Sequence, residues 1–219
     1  MTWTLHQGDC VEVMRGMESN SVDAVVTDPP YGIDLQPQRG ITKSIVGDGA
    51  QEARELWAGF VPKAHRILKN NTASLFFTRW SEMEWVKPLL AKYFTVKSCI
   101  VWVKNVWGIG YYTRPQHEMA LYCHKGNPPL PEEPQSDVWF CDRVHKPKHS
   151  CEKPVSLAVR AVKLCTEPDA VILDPFAGSG AILEGAVQVG RRAVGIEIDG
   201  EYCQQARRRL SAIQVNLFR

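Results

Sequence analysis

Apolar runs of strand length alternate with helix-like patterns along most of this 219-residue chain. Short apolar runs bounded by polar residues predict strands at residues 22–27, 72–78, 95–103, 118–123, 170–173 and 192–198. Apolar residues at three- and four-residue spacing predict helices at residues 51–68, 81–92, 154–165, 181–189 and 201–213. This alternation predicts an α/β fold with a largely parallel sheet.

Two stretches interrupt this alternation. Residues 32–49 are polar and contain glycines, which predicts a mobile loop. Residues 126–148 are rich in proline and charge and have no clear period. The chain has no internal repeat, and its length predicts a single domain over residues 1–219 with a sizeable core.

Composition and charge are ordinary for a globular protein, with 44% hydrophobic and 23% charged residues. The net charge of +2 provides no strong overall attraction for nucleic acid, so binding of that kind would depend on local patches. The first residues lack the pattern of a signal peptide, and no apolar run reaches the roughly 20 residues that span a bilayer. We therefore expect a cytoplasmic protein without a membrane segment.

The seven cysteines are scattered, and none forms a C-x-x-C pair, so reduced thiols are expected. One group of cysteines and histidines is a candidate metal site: Cys123, His124, Cys141, His145, His149 and Cys151. Its spacing matches no standard zinc pattern. Core cysteines and polar loop histidines explain the group as well, and no metal is predicted.

The tetrapeptide Asp28-Pro29-Pro30-Tyr31 follows the first predicted strand. Proline has no N–H, so the backbone there cannot continue a sheet ladder and its carbonyls stay available as acceptors. Asp28 adds carboxylate acceptors, and Tyr31 adds a flat face on which a ring can stack. The combination suits a planar group that bears an NH2, such as an extruded nucleobase.

A second motif lies between a predicted strand and a predicted helix, in the segment from Asp174 to Gly180. Glycines at such a turn let the backbone approach a ligand, and an acid about 20 residues later, here Glu197, suits ribose hydroxyls. A dinucleotide site would require glycine at position 183, where the chain has Leu183. A nucleoside-type cofactor is therefore favoured over a plain tight turn with a solvated glutamate.

Together the two motifs resemble the amino-group DNA methyltransferases that use S-adenosylmethionine. In that family D-P-P-Y is the catalytic motif, D-P-F-x-G-S-G is the cofactor motif, and an x-K-P element, here ending in Lys153-Pro154, precedes the cofactor half. The catalytic half comes first, as in the permuted β subgroup. The resemblance implies a doubly wound, mostly parallel, Rossmann-like sheet with one antiparallel strand and a circularly permuted motif order.

Further matches to this subgroup are Gly8-Asp9-Cys10, Trp102-Val103-Lys104 and the stretch around Tyr112 and Glu118. Departures are small: Ala181 stands where threonine is frequent, and Cys151-Glu152 replaces commoner residues before Lys153.

The resemblance implies a role for each matching residue. Catalysis would use Asp28, Pro29, Pro30 and Tyr31, with the amine held by the Asp28 carboxylate and the Pro29 carbonyl. The cofactor would be S-adenosylmethionine, bound by Asp9, Cys10, Asp28, Lys153, Asp174, Phe176, Gly178, Ser179, Gly180, Glu197 and Ile198. Two alternatives stay open: Asp9 as a helix N-cap before residues 11–17, and Phe176 as ordinary core packing.

Double-stranded DNA is the partner that the resemblance implies, and a short target-recognition segment is expected at about residues 105–149. Arg39 and Lys43 belong to the loop at residues 32–49, which is expected to close over the extruded base. Within the target-recognition segment, Arg143, Lys146 and Lys148 belong to a basic cluster suited to phosphates. A solvated loop face is the alternative for this basic cluster. So short a segment predicts a short recognition sequence or help from a second subunit, as in a homodimer.

The expected reaction is methyl transfer to the N6 amine of adenine, because the family's cytosine-N4 members usually carry serine in place of Asp28. Cytosine-N4 methylation remains the first alternative. Less favoured alternatives are an RNA or protein amide methyltransferase and an inactive DNA-binding regulator. A restriction-modification, phage-borne or solitary role stays open.

Overall fold

The computed structural model describes residues 2–32, 49–108, 110–131, 133–144 and 152–217. Eight strands lie in this part of the chain: β1 (Trp3–Gln7), β2 (Ala24–Thr27), β3 (Thr72–Thr78), β4 (Thr95–Val103), β5 (His117–Lys125), β6 (Val138–Phe140), β7 (Val171–Asp174) and β8 (Arg192–Glu197). Six α-helices accompany them: α1 (Cys10–Gly16), α2 (Ala50–Ile67), α3 (Met83–Ala91), α4 (Val155–Cys165), α5 (Ala181–Gln188) and α6 (Gly200–Leu217). A single 3-10 turn, Trp80–Glu82, precedes α3.

The strands form one sheet in the order β1-β8-β7-β2-β3-β5-β4-β6. Every pairing is parallel except those of β5, which runs antiparallel to both of its neighbours, β3 and β4. The predicted α/β class, with a mostly parallel sheet and one antiparallel strand, is confirmed.

The alternation of side chains along each strand divides the core into two layers. Val26 and Phe77 face α4, α5 and α6, whereas Val25 and Phe76 face α1, α2 and α3. Both faces of the central strands are therefore buried, and β2 is buried at every position. This double coverage explains why the central strands are continuous apolar runs, and it gives the doubly wound architecture.

Two strands were not predicted from the sequence. In β1 only Leu5 is buried, and the strand exists because it pairs in parallel with β8. In β6, within the stretch without a clear period, only Trp139 is buried, and the strand pairs with the end of β4. Both strands are short and lie at the two edges of the sheet, where one neighbour determines their conformation.

Several expectations fall outside the described residues. The predicted loop at residues 32–49 lies mostly there, and so do Arg39, Lys43, Lys146, Lys148 and Cys151. Within the described ranges, no helix is long and apolar enough to cross a bilayer.

Candidate active site

The sheet brings the two sequence motifs to one edge. The carboxyl ends of parallel strands meet at the same edge of a sheet, which is where doubly wound folds bind ligands. Asp28 follows β2, Asp174 ends the adjacent β7, and Glu197 ends β8. Because β5 runs the other way, its first residues, including Glu118, also lie at this edge.

Side-chain contacts hold the turn after β2 in place. The Tyr31 hydroxyl donates to Oδ1 of Asp28, and the Lys153 ammonium donates to Oδ2. The indole N–H of Trp57, on α2, donates to the Pro30 carbonyl over 3.0 Å. Trp57 itself is fully buried, so the turn at residues 28–31 is fixed to the core. Nothing in the sequence motifs pointed to Trp57.

The Asp28 carboxylate lies at the end of a row of charged side chains. Lys153 Nζ lies 3.0 Å from Glu118 Oε2 without hydrogen-bond geometry, and Lys104 donates to the other oxygen of Glu118. The order Lys104, Glu118, Lys153, Asp28 thus alternates in sign. The Lys153 side chain is only 5% exposed, which is rare for lysine unless it is paired. Its ammonium also lies 5.3 Å from the ring centre of Phe77.

Burial and these charges act in opposite directions on the two carboxyl groups. Burial raises the pKa of Asp28 above its usual value, although the Lys153 charge opposes the rise. Burial also acts to raise the pKa of Glu118, but the charges of Lys153 and Lys104 outweigh it and hold that pKa at about 2. The two lysines therefore favour the ionised form of Glu118, whereas burial and the Lys153 charge oppose each other at Asp28.

Asp174 is a buried carboxyl group beside the turn that follows β2. It accepts hydrogen bonds from the Thr27 hydroxyl at 2.8 Å and from the Phe176 backbone N–H at 3.1 Å. Burial raises its pKa to about 7, and the bond from Thr27 only partly offsets this. The Thr27 contact links the end of β2 to the end of β7, so the two motifs are joined directly.

The glycine-rich turn after β7 depends on backbone conformations that favour glycine. Gly178 and Gly180 have φ angles of 51° and 82°. The Gly178 N–H donates to Oε2 of Glu197 at 2.7 Å, and Oε1 of Glu197 accepts from the Asp199 N–H at 2.8 Å. The carboxylate of Glu197 therefore connects the turn to the end of β8, and burial raises its pKa.

A cavity of about 830 Å³ opens between this edge and the helices α1 and α2. It is lined by Gly8, Asp9, Cys10, Val11, Glu12, Pro30, Glu52, Glu55, Leu56, Gly59, Pro175, Phe176, Glu197 and Ile198. Pairing of β1 with β8 places Gln7 opposite Glu197, so Gly8 and Asp9 reach the cavity. The two sequence motifs did not predict that residues of α2 form the far wall of the cavity.

The structure divides the residues expected to bind a cofactor. Five of them line the cavity: Asp9, Cys10, Phe176, Glu197 and Ile198. Of the other described candidates, Gly178 reaches the site through Glu197 and Asp174 through Phe176. Ser179 and Gly180 lie in the same turn without lining this cavity. Lys153 differs most from expectation, because its ammonium contacts Asp28.

Asp9 and Phe176 each have a structural role in the fold. Asp9 is the N-cap of α1, since its Oδ1 accepts from the Glu12 N–H at 3.0 Å. It also lines the cavity, so capping does not exclude a second role. Phe176 packs edge-on against Phe60 at 5.0 Å and lines the same cavity. For both residues the structural role is real, and the cofactor role stays a prediction.

The structure gives less information on the predicted DNA contacts and on the possible metal site. Arg143 is half-buried just after β6, and its backbone N–H donates to Asn105 Oδ1 at 3.1 Å. Its contact with DNA stays a prediction. Among the described residues no group of three or more His, Cys, Asp or Glu side chains could hold a metal ion.

Comparison with known proteins identifies the family. A family model described as a DNA methylase, of the N6/N4 type, matches residues 22–208. The chain belongs to this DNA methylase family. Among curated relatives, the putative methylase YubD of Escherichia coli K12 is 34% identical over 209 residues, covering 95% of this chain and 90% of YubD. The DNA adenine methyltransferase YhdJ of the same organism is 28% identical, covering 94% and 82%.

Solved structures agree on the fold. A putative DNA modification methylase of Thermus thermophilus, TTHA0409, was solved in complex with S-adenosylmethionine. It superposes with a TM-score of 0.72 at 22% identity, covering 95% of this methylase and 93% of TTHA0409. The cytosine-N4-specific PvuII DNA methyltransferase superposes with a TM-score of 0.79 at 14% identity, covering 95% and 86%. The Rossmann-like methyltransferase fold is therefore confirmed, whereas identities this low carry no information on the target base.

Proposed function

We propose that this methylase transfers a methyl group from S-adenosylmethionine to the N6 amine of an adenine extruded from double-stranded DNA. The observation that carries the proposal is the position of the catalytic turn. The Asp28 carboxylate is at one end of the turn, and Pro30, two residues later, lines the cavity. An amine held by Asp28 would therefore lie beside a ligand held in the cavity.

The role of Asp28 follows from the chemistry of an aromatic amine. Such an amine is a poor nucleophile because its lone pair is delocalised into the ring. Hydrogen bonds from its two N–H groups to the Asp28 carboxylate and the Pro29 carbonyl would favour a tetrahedral nitrogen with a localised lone pair. The nitrogen would bond to the methyl carbon as the carbon–sulfur bond breaks, leaving a neutral thioether, and the methylated nitrogen would then release one proton to water. Asp28 must be ionised for this role, and the Lys153 charge favours that form.

The cavity residues fit S-adenosylmethionine. This cosubstrate supplies an electrophilic methyl group, so the protein has mainly to align the reactants. A volume of about 830 Å³ falls within the usual range for small-molecule sites. Glu197 would hold ribose hydroxyls, while Asp9 and the Cys10 backbone would contact the adenine amine. Several acidic side chains in the lining favour a ligand that carries positive charge, as a sulfonium does.

Adenine is favoured over cytosine by Asp28 and by the relatives. YhdJ is named a DNA adenine methyltransferase and shares 28% identity over most of its length. Cytosine-N4 methylation is the second candidate, because the chemistry at the amine is shared. The permuted β-subgroup motif order and a cytoplasmic location belong to the same proposal.

The experiment is mass spectrometry of nucleosides from the DNA of a methylation-deficient host that expresses the chain. N6-methyladenine is expected, and sequencing of modified bases would give its sequence context. N4-methylcytosine would establish the second candidate instead. Absence of both, from a folded protein that binds S-adenosylmethionine in calorimetry, would refute the proposal.

Asp28→Ala is the matching loss-of-function variant. It should bind S-adenosylmethionine close to normally, because Asp28 does not line the cavity, yet lose nearly all methyl transfer. A wild-type rate in Asp28→Ala would overturn the mechanism while leaving the family assignment intact.

A further inference from the structure

Exposed apolar side chains are concentrated at one edge of the sheet. Of the ten large hydrophobic side chains that are exposed in the described ranges, seven belong to segments at the carboxyl ends of parallel strands. They are Trp80, Val106, Trp107, Tyr111, Tyr112, Phe140 and Ile198. Tyr93 lies at the opposite edge, just before β4 begins. This bias marks the active-site edge as a contact surface.

The most exposed aromatic residues lie between β4 and β5. We name residues 104–108 and 110–116 the β4–β5 loop. Tyr111 and Tyr112 have relative exposures of 102% and 103%, so their side chains pack against nothing in the described chain. Trp107 is 63% exposed, and the Arg114 guanidinium lies 5.7 Å from its ring centre.

Hydrogen bonds between its two sides hold the β4–β5 loop together. The Lys104 N–H donates to the Gln116 carbonyl at 2.8 Å, and the Gly108 N–H donates to the Pro115 carbonyl at 2.7 Å. The Arg114 side chain donates to the Gly108 carbonyl at 2.8 Å. These hydrogen bonds restrict the loop that carries the two tyrosines. Binding a partner therefore costs less conformational entropy.

The base of the β4–β5 loop belongs to the catalytic site. Lys104, its first residue, contacts Glu118, which contacts Lys153, which contacts Asp28. The loop contains basic residues but no aspartate or glutamate at positions 104–116. Aromatic faces with an arginine and without acidic groups suit nucleobases and phosphates.

We propose that the β4–β5 loop enters the DNA duplex beside the target base, and that Tyr111 and Tyr112 stack on the bases left by the extruded nucleotide. This inference rests on the proposed function, because it takes the partner to be DNA. Extrusion costs unpairing and unstacking energy, and an inserted aromatic side chain offsets part of that cost. The loop lies where DNA must approach, since the extruded base has to reach Asp28 at this edge.

A second copy of the chain fits the loop less well. Stable interfaces bury about 800 Å² from each partner. Two tyrosine side chains supply about 300–500 Å². Binding of DNA requires the loop to lie next to Asp28, where the extruded base must arrive. Self-association would not require that position.

The test compares Tyr111→Ala/Tyr112→Ala with Tyr111→Phe/Tyr112→Phe, which retains the stacking faces. Tyr93→Ala is the matched control, an exposed tyrosine at the opposite edge. Binding is measured by anisotropy of a fluorescein-labelled duplex. Methyl transfer is measured with tritiated S-adenosylmethionine and unmethylated plasmid DNA. Calorimetry with S-adenosylmethionine checks that the cavity is intact.

The alanine pair should weaken DNA binding about 5- to 150-fold, which is the range for losing one stacked base, and should raise the KM for DNA. The phenylalanine pair and Tyr93→Ala should stay near wild type, and affinity for S-adenosylmethionine should not change. Wild-type DNA affinity and transfer rate in the alanine pair would overturn the inference. So would a dimer, seen by light scattering, that the alanine pair converts to monomer without loss of DNA binding.

The two proposals fail in different ways. If the wild-type protein transfers no tritium to any DNA, the proposed function fails, and the anisotropy comparison still decides the role of the loop. If transfer is normal in every variant, the function stands and the loop inference falls.

Discussion

Replacing Lys153 by methionine would remove the positive charge that lies between the Asp28 and Glu118 carboxylates, whose side chains are 12% and 18% exposed. The ammonium is 3.0 Å from Glu118 Oε2 and donates to Asp28. At that separation and an effective dielectric constant of about 20, the attraction to Glu118 is about 5.5 kcal/mol. Desolvation of the lysine offsets part of it, and breaking a buried pair costs about 3–5 kcal/mol net. We expect a loss of that size in the free energy of unfolding of Lys153→Met.

The same variant should change the pH dependence of methyl transfer. Burial raises the pKa of Asp28, and the Lys153 charge opposes the rise, so that pKa should climb further without the lysine. Because the proposed mechanism requires ionised Asp28, the acid limb of the rate profile should move to higher pH.

Urea unfolding and the pH profile of tritium transfer measure the two effects. Lys69→Met is the control, because Lys69 pairs with Asp23 at 2.7 Å but its side chain is 45% exposed. A partly exposed pair contributes at most about 1 kcal/mol, and this one lies away from the catalytic turn. The reasoning is refuted if Lys153→Met loses no more stability than Lys69→Met and keeps the wild-type acid limb.

Two further predictions concern groups that the fold buries. Burial raises the pKa of Asp174 to about 7 in the folded protein, from about 3.8 in the unfolded chain. The stability that protonated Asp174 contributes is therefore complete below pH 3.8 and is lost as the pH rises through 7. Asp174→Asn should therefore be more stable than wild type at pH 8, by up to about 4 kcal/mol, and equal pH dependence of the two Tm values would contradict this. A Cβ on Gly185 would lie 2.8 Å from Ala158 Cβ, so Gly185→Ala should cost about 1–3 kcal/mol in urea unfolding. Gly16→Ala, with no atom within 4 Å, is the control that should change stability little, and equal effects at both positions would refute tight contact between α4 and α5.

The sequence determined most of the secondary structure, because the central strands and the helices bury continuous or periodic apolar positions. It also determined the two motifs, since prolines and glycines impose backbone conformations locally. The edge strands β1 and β6 escaped prediction because each buries a single residue and depends on one neighbouring strand.

Only the tertiary structure decided the environment of Asp28. The residues that surround it, Lys104, Glu118 and Lys153, come from three separate segments, and no pattern within any one of them reports the others. Their charges matter because they are buried together, and burial is a property of the folded chain. The motif at residues 28–31 identified Asp28 from the sequence. The fold of β4, β5 and the segment before α4 placed Lys153 beside it, and the charge of Lys153 favours the ionised form of Asp28.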